Sequence, residues 1–305
     1  MKAKATLSVL LAGLLVAAAL VMAAPARAQQ APETLTGTLA KVRETGAIAI
    51  GYRESSVPFS FLNARREPIG YSIELCRALV TAIEDAVNKS LTIKWVPVTS
   101  DSRIDAVVSG AVDLECGSTT NNLERQKRVS FSPTMFVSGT KVLVKKGSPI
   151  KSFRDLAGKR VAVTAGTTNE KTLRDLSQKF KLGIQLLVAH DHADAFGLVK
   201  NGEADAFATD DVLLYGLIAR DAAKAQYEVV GDYLSYDPYG IMYRKGDAQL
   251  GKVINDTFQV LAEDGEIERQ YKRWFLRKLP TGESINLPMS AQLEAIIQTM
   301  SVKAE

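Results

Sequence analysis

Between Ala47 and Cys116 the chain alternates extended apolar runs with a helical stripe, and that alternation limits what it can fold into. A short helix over Thr38–Glu44 leads into Ala47-Ile48-Ala49-Ile50-Gly51-Tyr52, which reads as a strand. After a loop from Arg53 to Arg66, Gly70-Tyr71-Ser72 opens a helix whose apolar positions Ile73, Leu75, Cys76, Leu79, Val80, Ile83 and Val87 share one face. A strand over Leu91–Val98, a helix over Ser102–Ser109 and a strand over Val112–Cys116 follow. Strand–helix–strand–helix–strand is the pattern of a parallel sheet with its crossover helices.

The second half restarts the pattern. Strands are expected over Lys141–Val144, Lys159–Val163, Gln185–Ala189 and Ala204–Ala208, and helices over Ser152–Leu156, Asn169–Phe180, Ala193–Asn201 and Asp211–Arg220. From Tyr227 to Asp232 the chain runs on, Gly240–Tyr243 is one more strand, and Leu250–Asp264 and Ile267–Phe275 are closing helices. The tail from Leu279 carries Pro280, Gly282 and Pro288 before a short helix over Ala291–Met300. Two α/β units followed by returning chain predict a discontinuous first domain.

The first 28 residues read as a secretory signal. Lys2 and Lys4 precede an apolar run, Leu7–Val21, broken only by Ser8, and Ala26-Arg27-Ala28 supplies small residues for cleavage. The run is short for a bilayer-spanning helix, which needs about 20 residues. Removing Lys2, Lys4 and Arg27 from 38 basic residues leaves 35 against 34 acidic ones, so the net charge falls from +4 to +1. The basic balance belongs to the leader, and no nucleic-acid footprint remains. The 277 residues left suffice for two domains of ordinary size.

One segment carries chemistry. The run Asp113-Leu114-Glu115-Cys116 ends in Gly117-Ser118-Thr119-Thr120-Asn121-Asn122, and Leu123-Glu124-Arg125-Gln126-Lys127-Arg128 then makes a polar helical turn. Free backbone N–H groups, hydroxyls and a guanidinium converge there on one small anion, as an amino-acid α-carboxylate requires. A solvated helix-face arginine is the alternative for Arg125, since Lys127 and Arg128 are such residues.

The segment Glu115–Asn122 with Glu124-Arg125-Gln126-Lys127 resembles the periplasmic substrate-binding proteins of amino-acid ABC transporters, in particular the glutamate/aspartate-binding branch. The resemblance covers nearly all of residues 35–277. It implies an α/β fold of two lobes (type II), each a mixed, mostly parallel sheet flanked by helices. Lobe 1 would be discontinuous (34–138 and 234–278), lobe 2 would span 139–233, and 279–305 would be a tail. Two crossing strands are expected near Val137–Thr140 and Gly231–Tyr236, with the ligand at the carboxyl ends of the strands.

By the same resemblance, Arg125 takes the α-carboxylate, helped by Ser118 and Thr120. Gly166-Thr167-Thr168 forms a second anion-friendly helix start in the other lobe, with an ordinary N-cap as the alternative. Asp210 would meet the α-ammonium, although from pattern alone a carboxylate there reads as a helix N-cap. Arg53, and Ser100 with Arg103, follow the first two strands. Two arginines at adjacent strand ends repel each other until a second carboxylate arrives, which points to a dicarboxylic ligand.

His192 reaches the distal carboxylate or a neighbouring acidic group on this reading. The pair His190 and His192 alone cannot complete a metal site, because the chain has only 2 histidines. No metal and no other cofactor is expected. The partners implied are L-glutamate or L-aspartate and inner-membrane ABC permease subunits, with no nucleic acid, and the receptor would be a periplasmic monomer. A periplasmic enzyme on the same fold, like the cyclohexadienyl dehydratases, is the alternative, and a stand-alone sensory module is a third. Cys76 and Cys116 fall in one lobe, where either a disulfide or two buried thiols would fit.

Overall fold

A computed structural model describes residues 34–280 and 282–302. The expected signal segment lies outside these residues. The first sheet has the strand order Thr92–Pro97, Ala47–Tyr52, Leu114–Glu115, Met242–Arg244, Val129–Phe131. Its first three strands are parallel, with Ile50 opposite both Trp95 and Leu114. The other two join antiparallel, Met242 pairing Glu115 on one side and Phe131 on the other. The helix Tyr71–Val87 covers this sheet. Every apolar position of its stripe is buried, because the 3.6-residue period keeps them on one side.

The second sheet repeats the plan: Gln185–Ala189, Arg160–Thr164, Ala206–Asp210, Thr140–Lys145, Tyr227–Val230. Again the first three strands pair in parallel, and the fourth, Thr140–Lys145, runs against its two neighbours. In both sheets the fourth strand adjoins the place where the chain passes between lobes.

That passage is a two-stranded ribbon, Phe136–Ser138 against Asp237–Tyr239. Leu234 N–H also donates to Thr140 O at 2.9 Å. The returning strand therefore lies a few residues later than the expected Gly231–Tyr236. Pro238 hid it: proline reads as a turn, yet a two-stranded ribbon has edges where a missing N–H is tolerated. The ribbon is anchored in the first lobe by aromatic packing. Phe59 meets Phe136, Tyr239 and Phe275 edge-on at 4.9, 5.2 and 5.5 Å between ring centres.

Three further expectations change. The loop Arg53–Arg66 contains strands Ser55–Ser56 and Ser60–Leu62, which with Pro68–Ile69 make a small sheet. Burial of Val57, Phe59 and Phe61 holds it in place. Val129–Phe131 was not anticipated as a strand. The helix expected over Ile267–Phe275 is an α-helix at Glu266–Tyr271 that widens into a π turn at Lys272–Leu276.

Cys76 and Cys116 form a disulfide, tying the covering helix to the end of the strand Leu114–Glu115. Of the two arrangements open to the cysteines, the bridge is the one found. The tail helix Ala291–Ser301 buries Leu293 and Ile297 in the first-lobe core. Its Gln292 donates to the Tyr236 hydroxyl at 3.0 Å.

Candidate functional site

Three arginines end up buried beside one another's fields. Arg53 follows the strand Ala47–Tyr52, Arg103 starts the helix Arg103–Ser109, and Arg125 sits on the one-turn helix Leu123–Gln126. They are 0, 2 and 7 % exposed. Asn122 caps the short helix by accepting from Arg125 N–H at 2.9 Å, which fixes where the guanidinium starts. Arg125 then donates to Thr120 O at 2.9 Å and to Gly166 O at 3.3 Å, and Arg103 donates to Ser118 O at 3.3 Å. Arg125 is thus no solvated surface arginine.

Much of the donor capacity is uncommitted. Nε and Nη1 of Arg53, Nε of Arg103 and the hydroxyls of Ser100 and Ser118 are buried without a protein partner. Buried donors normally have partners, and a carboxylate supplies the strongest ones. Burial, then the neighbouring Arg125 charge, pulls Arg103 down to about 9. Arg125 is lowered by burial and held up by Glu115, Asp237 and Asp210. Glu115, fully buried, is the resident counter-charge, with Oε2 accepting from Thr119 at 2.6 Å.

The second lobe faces this cluster. Thr167, not Thr168, caps the helix Thr168–Lys179, accepting from Glu170 N–H at 3.1 Å. Thr168 is left free to face the first lobe, its Oγ1 3.3 Å from that of Thr120. Asp210 ends the strand Ala206–Asp210 and stands at the N-cap of the helix Asp211–Arg220, yet its side chain does not cap that helix. It accepts instead from Asn169 at 2.9 Å and from the Tyr239 hydroxyl. Burial, then Asp237, raises its pKa to about 8. Asp211, the neighbour most easily confused with it, is tied into the fold by Ser138 at 2.7 Å and Tyr233 at 2.6 Å.

His192 is 2 % exposed, and its Nδ1 is 2.8 Å from Thr164 Oγ1. Burial, then the Arg53 charge, lowers its pKa to about 3, so the ring is neutral near pH 7. His190 is exposed on an outer crevice between Glu54 and Asp194. Among the described residues no group of three His, Cys, Asp or Glu side chains is placed to hold a metal ion.

Seven of the nine expected residues line one small interlobe cavity: Ser100, Arg103, Ser118, Thr120, Thr168, His192 and Asp210. Arg53 and Arg125 reach across the lobes beside it, Arg53 to Asp191 and Arg125 to Gly166. The cavity is narrow, with the two lobes in contact beside it. Across the lobes Gly216 lies so near Val57 O that a Cβ there would be 2.1 Å away.

Sequence reasoning missed Asp237, Asn169 and Tyr239. Asp237 and Tyr239 flank the misleading Pro238, and Asn169 looked like any polar helix residue.

Two lobes around a buried polar cavity define a solute-binding protein. The chain belongs to the bacterial extracellular solute-binding proteins, family 3, whose profile matches residues 48–277. It is 41% identical to a glutamate/aspartate import solute-binding protein of Salmonella typhimurium, over 92% of this chain and 93% of that one. It is 42% identical to an L-glutamate/L-aspartate-binding protein of Pseudomonas aeruginosa, over 93% and 95%. Among solved structures, an ancestral arginine-binding protein bound to arginine superposes with a TM-score of 0.69 at 30% identity, covering 75% of this chain and 98% of that one. An ancestral amino acid-binding protein, a precursor of cyclohexadienyl dehydratase, superposes with 0.67 at 31%, covering 78% and 99%.

Proposed function

We propose that this chain is the periplasmic receptor of an ABC importer for L-glutamate or L-aspartate. The first lobe (34–138 and 234–278) and the second (139–233) close around the amino acid, which is then delivered to the membrane permease. The observation that carries the reading is the set of unpaired donors on buried Arg53, Arg103, Ser100 and Ser118. Together with Arg125 they exceed what one carboxylate needs and suit two. Arg125 and Ser118 take the α-carboxylate, Arg53 and Arg103 with Ser100 the distal one, and Asp210 the ammonium. Thr120 and Thr168 join the α-substituents, and neutral His192 stands near the distal group. The relatives' named ligands support the same assignment.

The protein binds its ligand without converting it, and acts as a monomer. His192, the buried imidazole of the cavity, is engaged by Thr164, and the relatives' names describe binding and import. Isothermal titration of ligand-stripped protein against the twenty amino acids tests the reading. Saturable heat is expected with glutamate and aspartate. Binding of neutral or basic amino acids with neither acidic one would overturn it.

A further inference from the structure

We propose that Asp237 is a positioning residue that fixes the hydroxyl polarity of Thr120 and Thr168, so that both present lone pairs to the ligand's ammonium. The inference rests on the reading above, that the cavity takes an α-amino acid.

Asp237 is 2 % exposed and stands behind the cavity wall, on the returning strand of the crossing ribbon. Its Oδ1 is 3.1 Å from Thr120 Oγ1 and 2.9 Å from Thr168 Oγ1. Its Oδ2 accepts from Ser235 Oγ. A threonine hydroxyl has one proton, and an ionised carboxylate has none to give. Each threonine that donates to Oδ1 therefore has only lone pairs left for a third group. Lone pairs repel a carboxylate and attract an ammonium. Asp210 adds a carboxylate to the same cavity, oriented by Asn169 and Tyr239. Two threonine oxygens and Asp210 thus form a seat for one cation beside a cluster of arginines.

Two consequences distinguish this from a general structural role. The Thr120 hydroxyl moves from the α-carboxylate's partners to those of the ammonium. Because Thr120 belongs to the first lobe and Thr168 to the second, one carboxylate oxygen can accept from both only when the lobes are closed. The polarity of the seat is therefore completed by closure, around the ligand.

The test is a double-mutant cycle read by titration with L-glutamate, with thermal melting to verify folding. Asp237→Ala in the wild-type background is expected to weaken binding by about tenfold or more, the effect of losing hydrogen bonds to a charged group. In a Thr120→Val, Thr168→Val background the same substitution should change affinity by no more than about twofold, since no hydroxyl remains to orient. Should Asp237→Ala not fold, Asp237→Ser takes its place in the cycle. Equal losses in both backgrounds, or no loss in either, would overturn the proposal. A wild-type protein that binds no acidic amino acid would instead overturn the functional reading beneath it.

Discussion

Arg53 and Asp191 face each other across the lobes, with Nη2 donating to Oδ2 at 3.1 Å from a fully buried guanidinium. Asp191 also caps the helix His192–Asn201, accepting from Ala193 N–H at 3.1 Å. Although burial raises it, the Arg53 guanidinium and the Ala193 N–H hold its carboxyl below the usual range. One face of Arg53 is thus committed to closure while Nε and Nη1 remain for a ligand. The same side chain can serve both selectivity and shutting.

The arginines should divide the ligand between them. Arg125→Ala is expected to weaken binding of every amino-acid ligand by roughly two to three and a half decades, from the 3–5 kcal/mol that an unpaired buried charge costs. Arg53→Ala and Arg103→Ala should reduce affinity for glutamate and aspartate far more than for their amides. Parallel titrations with glutamate and glutamine check this. Glutamate bound by Arg125→Ala within about threefold of wild type would refute the assignment.

Asp210 should make binding proton-linked. Its folded pKa is raised from 3.8 to about 8, first by burial and then by Asp237. Between those values the folded, ligand-free protein keeps a proton that the unfolded chain has lost. The stability this lends is complete below about pH 4 and declines as pH rises towards 8. An arriving ammonium favours the ionised form, so the proton leaves and affinity rises with pH across the window. Titrations at pH 6.5 in two buffers of different ionisation enthalpy should report about one proton released. Asp210→Asn should remove that release as well as most of the affinity.

Closure depends on a residue without a side chain. Gly216→Ala places a Cβ 2.1 Å from Val57 O, a backbone atom that cannot swing aside. The lobes should then stop short of the closed arrangement. Small-angle scattering is expected to give a smaller fall in radius of gyration on adding glutamate than wild type gives, with weaker binding. Full compaction of Gly216→Ala would show that the helix Asp211–Arg220 can shift to make room.

Most of the fold was legible because it rests on periodicity. The stripe from Ile73 to Val87 and the strands Ala47–Tyr52 and Gln185–Ala189 announce themselves by spacing alone. The arginines stood out by what precedes them, Arg53 and Arg103 after strand ends and Arg125 after the turn Gly117–Thr120, while their burial shows only in the fold. Asp237 was not, since its role depends on the pairing of Phe136–Ser138 with Asp237–Tyr239, residues about a hundred positions apart in the chain. No local pattern encodes that register. The Asp210 alternatives were equally invisible to sequence: a cap and a ligand carboxylate look the same until Asn169 and Tyr239 are seen to claim it.

The bridge between Cys76 and Cys116 lies close to the ligand turn, since Gly117 O accepts from Ser72 Oγ at 2.7 Å on the same helix. Without reductant, denatured protein should take up no alkylating reagent, by intact mass, and with reductant it should take up two labels. Cys76→Ser with Cys116→Ser should lower stability by about 2–4 kcal/mol in urea titrations, the usual worth of closing a loop of this size. Equal stability of the double variant would place the bridge's contribution elsewhere.

In the second sheet Thr140 pairs directly with Asp210, so the strand that leaves the crossing ribbon holds the proposed partner of the ammonium in its register. Asn169 bonds both, at 2.7 Å to Thr140 and 2.9 Å to Asp210. The strand leaving the ribbon and Asp210 are therefore tied together through one asparagine. A substitution that shifts the strand Thr140–Lys145 where it leaves the ribbon will also re-aim Asp210. Variants of this receptor with a new ligand preference should accordingly come with a new resting aperture, the two properties being inherited together.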